Sequence, residues 1–241
     1  PVLRGKQRSR KLESIVAEAA AAIAQGAKEL VLVAQDSTAY GEDMPDATPD
    51  LGDLVNALGE LTRSLPEMER PWIRVMYGHP DSIKDSFIAA VKKYANVCPY
   101  FDLPVQHISP AVLRKMGRGY DSQKLYDLFA KIKREIPHAV LRTTLIVGFP
   151  GETEADFEQL LEFVATVRFE TLGAFTYSDG ADLPSHNLKD HLPEAVARDR
   201  IQAVMELQRE ISAAYTPTFL NTTLTVFEEE AYETGLYFGR P

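Results

Sequence analysis

Cysteine is almost missing from this sequence. Cys98 stands alone, so no disulfide can form within the chain and no group of thiolates can gather on a metal. That suits a reducing compartment, and a cytoplasmic protein is expected. Long hydrophobic runs are missing too: stretches such as 30–34 and 139–141 fall far short of the ~20 apolar residues that span a bilayer. No charged stretch followed by an apolar one opens the sequence, so neither a secretory leader nor a membrane partner is expected. Positive charge is in deficit, with 26 Lys and Arg against 35 Asp and Glu, a net charge of −9. A phosphate backbone asks for the opposite balance, so direct RNA or DNA binding is disfavoured and a basic protein is the better-matched partner. Mild acidity is also ordinary for a cytosolic protein. Walker A, GxSxG, HExxH and CxxC patterns are all absent.

What is present is an alternation of strand and helix, in a chain long enough for one α/β barrel-type domain or two smaller ones. Ile15, Val16, Ala19 and Ile23 line one face of a predicted helix 14–25, which Gly26 stops. The apolar run 29–34 reads as a buried strand, and the Pro-, Asp- and Gly-rich stretch 41–50 as a loop. Thr48-Pro49-Asp50 reads as a helix start, with Thr48 as the cap, ahead of Leu51, Leu54, Val55, Leu58 and Leu61. The cycle repeats with strand 72–77, helix 81–94, strand 100–105, a short helix opened by Ser109-Pro110, helix 122–135 and strand 139–148. Helix 153–167, opened by the Thr153-x-x-Asp156 capping pattern, strand 171–177 and helix 192–214 complete it. The strands read as apolar on both faces, as in a parallel sheet covered by helices. Five are too few to close a barrel of the eight-stranded kind. The expected fold is therefore α/β, a partial, open parallel β/α barrel. An open doubly wound sheet is the alternative, though no GxGxxG follows its first strand. Past residue 215 the character changes. Segments 222–227 and 235–239 read as strands opening a small all-β domain, so the expected domains are 1–214 and 215–241.

Parallel barrels place their chemistry at the C-terminal ends of the strands. Gln35, Asp36, Ser37, Thr38 and Tyr40 follow the first strand. Arg74, Tyr77, His79 and Pro80 lie on or after the second, and Gln106 and His107 follow the third. Arg142, Thr143 and Thr144 lie on the fourth, ahead of Gly148-Phe149-Pro150-Gly151-Glu152-Thr153, and Tyr177, Ser178 and Asp179 follow the fifth. Polar groups from every strand thus meet on one rim, the layout of a polar-ligand site. Each also has a plainer role. Arg74 and Arg142, costly inside apolar strands, bind a ligand or pair with Asp36 or Glu152. His79 and His107 lack partners at metal-ligand spacing, and no metal site is expected from them. Gly148 and Gly151 make either a plain turn or a close backbone approach to a ligand. Arg4, Lys6, Arg8 and Arg10 suit a solvated loop, or one touching an anionic part of the site, better than a nucleic-acid patch. Cys98 suits a passive structural thiol. Spacing alone supports a barrel enzyme with a polar rim, or a cluster-free binding module on the same scaffold.

Several of these stretches also resemble a known family. Leu3-Arg4-Gly5 and Arg8-Ser9-Arg10 are followed by Leu32-Val33-Ala34-Gln35-Asp36-Ser37-Thr38-Ala39-Tyr40-Gly41. Trp72-Ile73-Arg74-Val75-Met76-Tyr77-Gly78-His79-Pro80 and Asp102-Leu103-Pro104-Val105-Gln106-His107 come next. Leu141-Arg142-Thr143-Thr144-Leu145-Ile146-Val147-Gly148-Phe149-Pro150-Gly151-Glu152-Thr153 comes last. In that order they resemble the methylthiotransferase branch of the radical S-adenosylmethionine (SAM) enzymes, over essentially the whole chain. One group in that branch modifies an aspartate of a small-subunit ribosomal protein, the other an adenosine of tRNA. The tRNA group usually reads Gln-Asn, Gln-Ser-Gly and Ser-Thr-Asp where this chain has Gln35-Asp36, Gln106-His107-Ile108 and Arg142-Thr143-Thr144. All three positions resemble the ribosomal-protein group.

The resemblance implies a transferase that uses SAM, two four-iron, four-sulfur clusters and an electron donor, with a basic small-subunit ribosomal protein as substrate. A 5′-deoxyadenosyl radical takes hydrogen from the aspartate β-carbon, sulfur is inserted, and a second SAM supplies the methyl group. Gln35, Asp36, Arg74, Gln106, Arg142, Gly148 and Glu152 are the positions implied to frame SAM. In the family a CxxxCxxC loop holds one cluster just before the segment matching residues 1–5, and a separate N-terminal domain holds the other. Neither cysteine set is in this sequence, so the chain is expected to be inactive by itself. Residues 218–241 resemble the opening of a TRAM domain, and their Glu228-Glu229-Glu230 run suits a basic protein.

Overall fold

The computed structural model describes residues 5–240, so Leu3 and Arg4 of the first motif, and Pro241, lie outside the described residues. Five strands carry the fold: β1 (Glu29–Leu32), β2 (Trp72–Val75), β3 (Tyr100–Asp102), β4 (Val140–Val147) and β5 (Thr171–Thr176). β1 pairs with β2, β3 with β4 and β4 with β5, all parallel. A bridge between Ile73 and Val97 joins the two sets, with Ile73 N donating to Asn96 O and Cys98 N to Ile73 O, both at 2.8 Å. The spatial order β1-β2-β3-β4-β5 therefore follows the chain without reversal. A doubly wound sheet reverses its order to place helices on both faces, whereas right-handed crossovers without reversal keep every helix on one face. The order is that of a β/α barrel, and among the described residues β1 and β5 do not pair, so the array is open.

Helices α1 (Leu12–Ala24), α2 (Leu51–Arg63), α3 (Asp85–Lys93), α4 (Pro110–Lys115), α5 (Ser122–Glu135), α6 (Glu154–Val167) and α7 (Glu194–Tyr215) alternate with the strands. Several start at side-chain caps. Ser109 accepts from Ala111 N, Asp121 from Lys124 N, and Thr153 and Asp156 cap each other reciprocally. α2 corrects the expectation that Thr48 caps it. The cap is Asp50, which accepts from Asp53 N while Asp53 returns the bond to Asp50 N, both within 3.0 Å. α3 begins later than expected because Asp81 N and Ser82 N turn back onto His79 instead of entering the helix.

Along β4, Leu141, Thr143, Leu145 and Val147 are buried against the helices, where Phe129, Phe163 and Phe169 meet at 5.0–6.0 Å between rings. Each such aromatic, fully buried, contributes roughly 1.5–3 kcal/mol. The alternate residues Val140, Arg142, Thr144 and Ile146 stay half-buried. The expectation of burial on both faces is thus corrected. Helices cover one face only, and on the other Val31 remains 47% and Phe175 62% exposed.

β6 (Phe227–Glu233) and β7 (Leu236–Arg240) form an antiparallel hairpin, so the expected strand 222–227 is displaced toward the C-terminus. The turn at Thr234-Gly235, with Gly235 at φ 81°, sets Glu233 opposite Leu236 and Phe227 opposite Arg240, which leaves 222–226 without a partner strand. The Phe227 ring lies 5.7 Å from that of Trp72, and Arg240 Nη1 donates to Glu29 Oε1 at 2.8 Å. The hairpin therefore docks at the N-terminal ends of β1 and β2, away from the rim. Among the described residues no helix is long and apolar enough to cross a membrane.

Candidate active site at the strand ends

Three neighbouring strands leave the sheet through left-handed residues: Tyr77 after β2 at φ 57°, Gln106 after β3 at φ 68° and Gly148 after β4 at φ 76°. For a side-chain-bearing residue this backbone costs about 1–2 kcal/mol, so lateral bonds must hold it. They do. Gly78 N donates to Asp102 O at 2.8 Å, Gln106 N to Thr144 O at 2.9 Å, and Ile146 N to Gln106 O at 2.8 Å. The Tyr77 side chain is left 47% exposed above the open face.

On that face Arg142 Nη1 donates to Asp102 Oδ1 at 2.6 Å, and Tyr77 N donates to the other Asp102 oxygen. Arg74 Nε donates to Glu29 Oε1 at 2.9 Å, and its guanidinium lies 5.2 Å from the centre of the Tyr100 ring. The arginines are thus ion-paired, but with Glu29 and Asp102 in place of the expected Asp36 and Glu152. Arg240, then burial opposing it, then Arg74 act on Glu29, and the balance holds its carboxyl below the ordinary range. Burial, followed by the charge of Asp102, pushes the Tyr100 hydroxyl up.

The loops are tied to one another. Asp36 accepts from Thr38 N at 3.0 Å and Thr38 Oγ1 at 2.6 Å, and Thr38 Oγ1 accepts from His79 N at 2.8 Å, joining the loops after β1 and β2. Gln35 is exposed, and its side chain has no hydrogen-bond partner among the described residues. His79 Nε2 lies 2.5 Å from Arg118 Nη1, and burial first, then the Arg118 charge, pulls the His79 pKa down. Glu152 is buried and accepts from Gly148 N at 2.5 Å and Phe149 N at 3.0 Å. Beyond β5, the Tyr177 hydroxyl donates to Asp179 at 3.0 Å, and its ring lies 5.0 Å from that of Phe149.

Gln35 and Gln106 therefore stand at the strand ends, Asp102 at the end of β3 pairs with Arg142 near the start of β4, and Asp36, Gly148 and Glu152 shape the loops at the rim. Arg74 is turned toward Glu29. Sequence reasoning missed three members: Glu29, Asp102 and Arg200 of α7, which pairs with Glu152 at 2.9 Å. Asp102 carried a signal, a carboxylate inside an apolar strand. Arg200 carried a fainter one, a charge among the buried Ala197, Val204 and Ile211 of one helix face. A cavity of about 210 Å³ lies elsewhere, lined by Arg63, Arg70, Lys93 and Tyr94; Glu60 already pairs with two of its cations.

Among the described residues no three His, Cys, Asp or Glu side chains are placed to hold a metal ion. Cys98 precedes β3, away from the rim, and burial pushes its thiol up. These residues do not fit a thiolate-held iron–sulfur cluster. What the strand ends do offer is polar groups: the exposed Gln35 amide and the half-buried Gln106 supply hydrogen-bond donors and acceptors beside the left-handed turns.

The family model for the radical SAM superfamily matches residues 2–164. Three curated relatives bear the name ribosomal protein uS12 methylthiotransferase RimO. That of Desulfosudis oleivorans is 46% identical over 100% of this chain and 53% of its own length. That of Clostridioides difficile is 43% identical over 100% and 52%, and that of Synechocystis 44% identical over 100% and 53%. The chain spans about half the length of these relatives. Among solved structures, Streptococcus suis SuiB bound to S-adenosylmethionine aligns at a TM-score of 0.54 and 13% identity, over 86% of this chain and 43% of that one, a likeness of fold.

Proposed function

The chain belongs to the radical SAM superfamily, and from that premise we propose that it is the core of a methylthiotransferase acting on the β-carbon of an aspartate in ribosomal protein uS12. The observation that carries this is identity above 40% along the whole chain to relatives of that name. The chain acts as part of a longer protein. Residues 1–214 supply the open barrel and 215–241 begin a TRAM-like domain. Cysteines outside this chain hold the two clusters, an electron donor reduces them, and the work is done in the cytoplasm.

SAM, when bound, supplies the radical and the methyl group. The chain holds and orients it. Gln35 and Gln106 offer side chains at the strand ends and Arg142 one from lower on β4, Asp36, Gly148 and Glu152 keep the surrounding loops in shape, and Arg74 braces the floor through Glu29. The exposed acids Glu42 and Asp46 flank the rim, while Asp43 is engaged by Ser9 N at 2.8 Å. Glu228, Glu230 and Glu233 lie on the hairpin at the other end of the sheet, where Glu229 pairs with Arg240. The two acidic groups thus form separate patches, each suited to a basic protein.

The test uses full-length, cluster-loaded protein with SAM and reductant, offered uS12 or tRNA. The expected product is uS12 heavier by one methylthio group, on aspartate. A modified tRNA adenosine with untouched uS12 overturns the substrate; no SAM cleavage with either overturns the activity.

A further inference from the structure

The Glu152 side chain is fully sealed from solvent, yet it is a carboxylate with four polar neighbours. Oε2 accepts from the backbone of Gly148 and Phe149. Oε1 takes Arg200 Nη1 at 2.9 Å and faces His107 Nε2 at 4.0 Å. His107 Nδ1 accepts from Ser109 N at 3.0 Å, which puts the ring proton on Nε2, aimed at Glu152 but out of bonding reach; that nitrogen has no partner among the described residues. Among the described residues Arg200 is the one cation bonded to the carboxylate. It also donates to Glu152 O at 3.2 Å and to Glu154 Oε2 at 3.0 Å, with its guanidinium 5.1 Å from the centre of the Phe157 ring. One turn earlier on α7, Ala197 lies so close to Gly148 that a Cβ there would sit 2.6 Å from the Ala197 Cβ. A single turn of α7 therefore touches both ends of the 148–152 turn.

We propose that Arg200 is a positioning residue for the SAM-binding edge. It latches the turn after β4 through Glu152 and keeps Gly148 in its left-handed form, although Arg200 itself meets no ligand. This rests on the reading that the strand-end edge binds SAM. An unpaired carboxylate cannot stay ionised at a sealed site, so Arg200 offsets the burial of Glu152. Glu152 in turn satisfies two N–H groups that a turn of this shape leaves without backbone partners. Without Arg200, the buried Glu152 carboxylate has no bonded counter-charge and is drawn out toward water. That weakens its hold on the Gly148 and Phe149 N–H groups, and the turn loses its shape where it borders the ligand.

The experiment measures SAM affinity by calorimetry on full-length, cluster-loaded protein, well below melting, for wild type, Arg200→Met, Arg200→Lys and Leu58→Ala. Leu58 is a fully buried core residue on α2, so its truncation supplies a loss of Tm without touching the turn. The expected result is weakening of SAM binding by roughly tenfold or more in Arg200→Met, less in Arg200→Lys, and under about twofold in Leu58→Ala, at comparable loss of Tm. Should Arg200→Met fail to fold, Arg200→Lys carries the same comparison. Wild-type affinity in the Arg200 variants, or an equal loss in Leu58→Ala, overturns the latch and leaves the SAM reading intact. A wild type that binds no SAM overturns both.

Discussion

Asp102 is buried between two partners at once: Arg142 Nη1 at 2.6 Å from one carboxylate oxygen and Tyr77 N at 3.2 Å from the other. The pair joins β3 to β4, and the backbone bond joins both to the left-handed end of β2. Asp102→Ala leaves Arg142 without a counter-ion and Tyr77 N–H unpaired. A stability loss of roughly 1.5–3 kcal/mol is expected in urea denaturation, the range for hydrogen bonds to charged groups. A change within about 0.5 kcal/mol, as at an ordinary surface site, contradicts this role.

Gly148 combines a backbone demand with a packing demand. Its φ is 76°, and a Cβ would sit 2.6 Å from that of Ala197. Gly148→Ala is expected to lower stability by about 2–4 kcal/mol, from the left-handed backbone and the crowding together. Gly26, at φ 92° with nothing within 4 Å of a Cβ, isolates the backbone part. Gly26→Ala should lose clearly less in the same thermal melts, and equal losses would remove the packing half of the account.

Glu60 predicts an acid-labile contact. The Tyr94 hydroxyl, then Lys93 and Arg63, hold its carboxyl down from 4.5 to about 2. A depressed carboxyl stabilises fully above its unfolded pKa and loses that contribution as pH falls toward its folded one. The gap in urea midpoint between wild type and Glu60→Gln should therefore be widest near neutrality and shrink from 4.5 toward 2. Tyr94→Phe removes the largest cause and should narrow the gap at neutral pH. A gap independent of pH would exclude the mechanism.

Much of this was legible in the sequence because the signals were local. The helix expected at 122–135 is α5 (Ser122–Glu135), with Asp121 as its cap. Thr153 and Asp156 announced α6 in the same way. The rim was legible because βα order sends each strand's C-terminal end to the same side. Partners across the fold were not legible. Arg74 lies 45 residues from Glu29, and Arg200 lies 48 from Glu152, separations at which no periodic pattern links two charges. The hairpin was misplaced for a different reason: its exposed strands alternate weakly, and the register comes from the turn at Gly235.

The contact between Glu29 and Arg240 closes a loop of 211 residues. Ring-closure entropy rises with the logarithm of loop length, about 0.6 kcal/mol per doubling, so this clasp is among the costliest to form before the rest is in place. The hairpin closes on itself through a two-residue turn, and the parallel strands collect one helix at a time. The clasp is therefore expected to close after the hairpin and the parallel strands have formed, and until Arg240 docks, Glu29 and Arg74 hold the lower edge of the sheet by themselves.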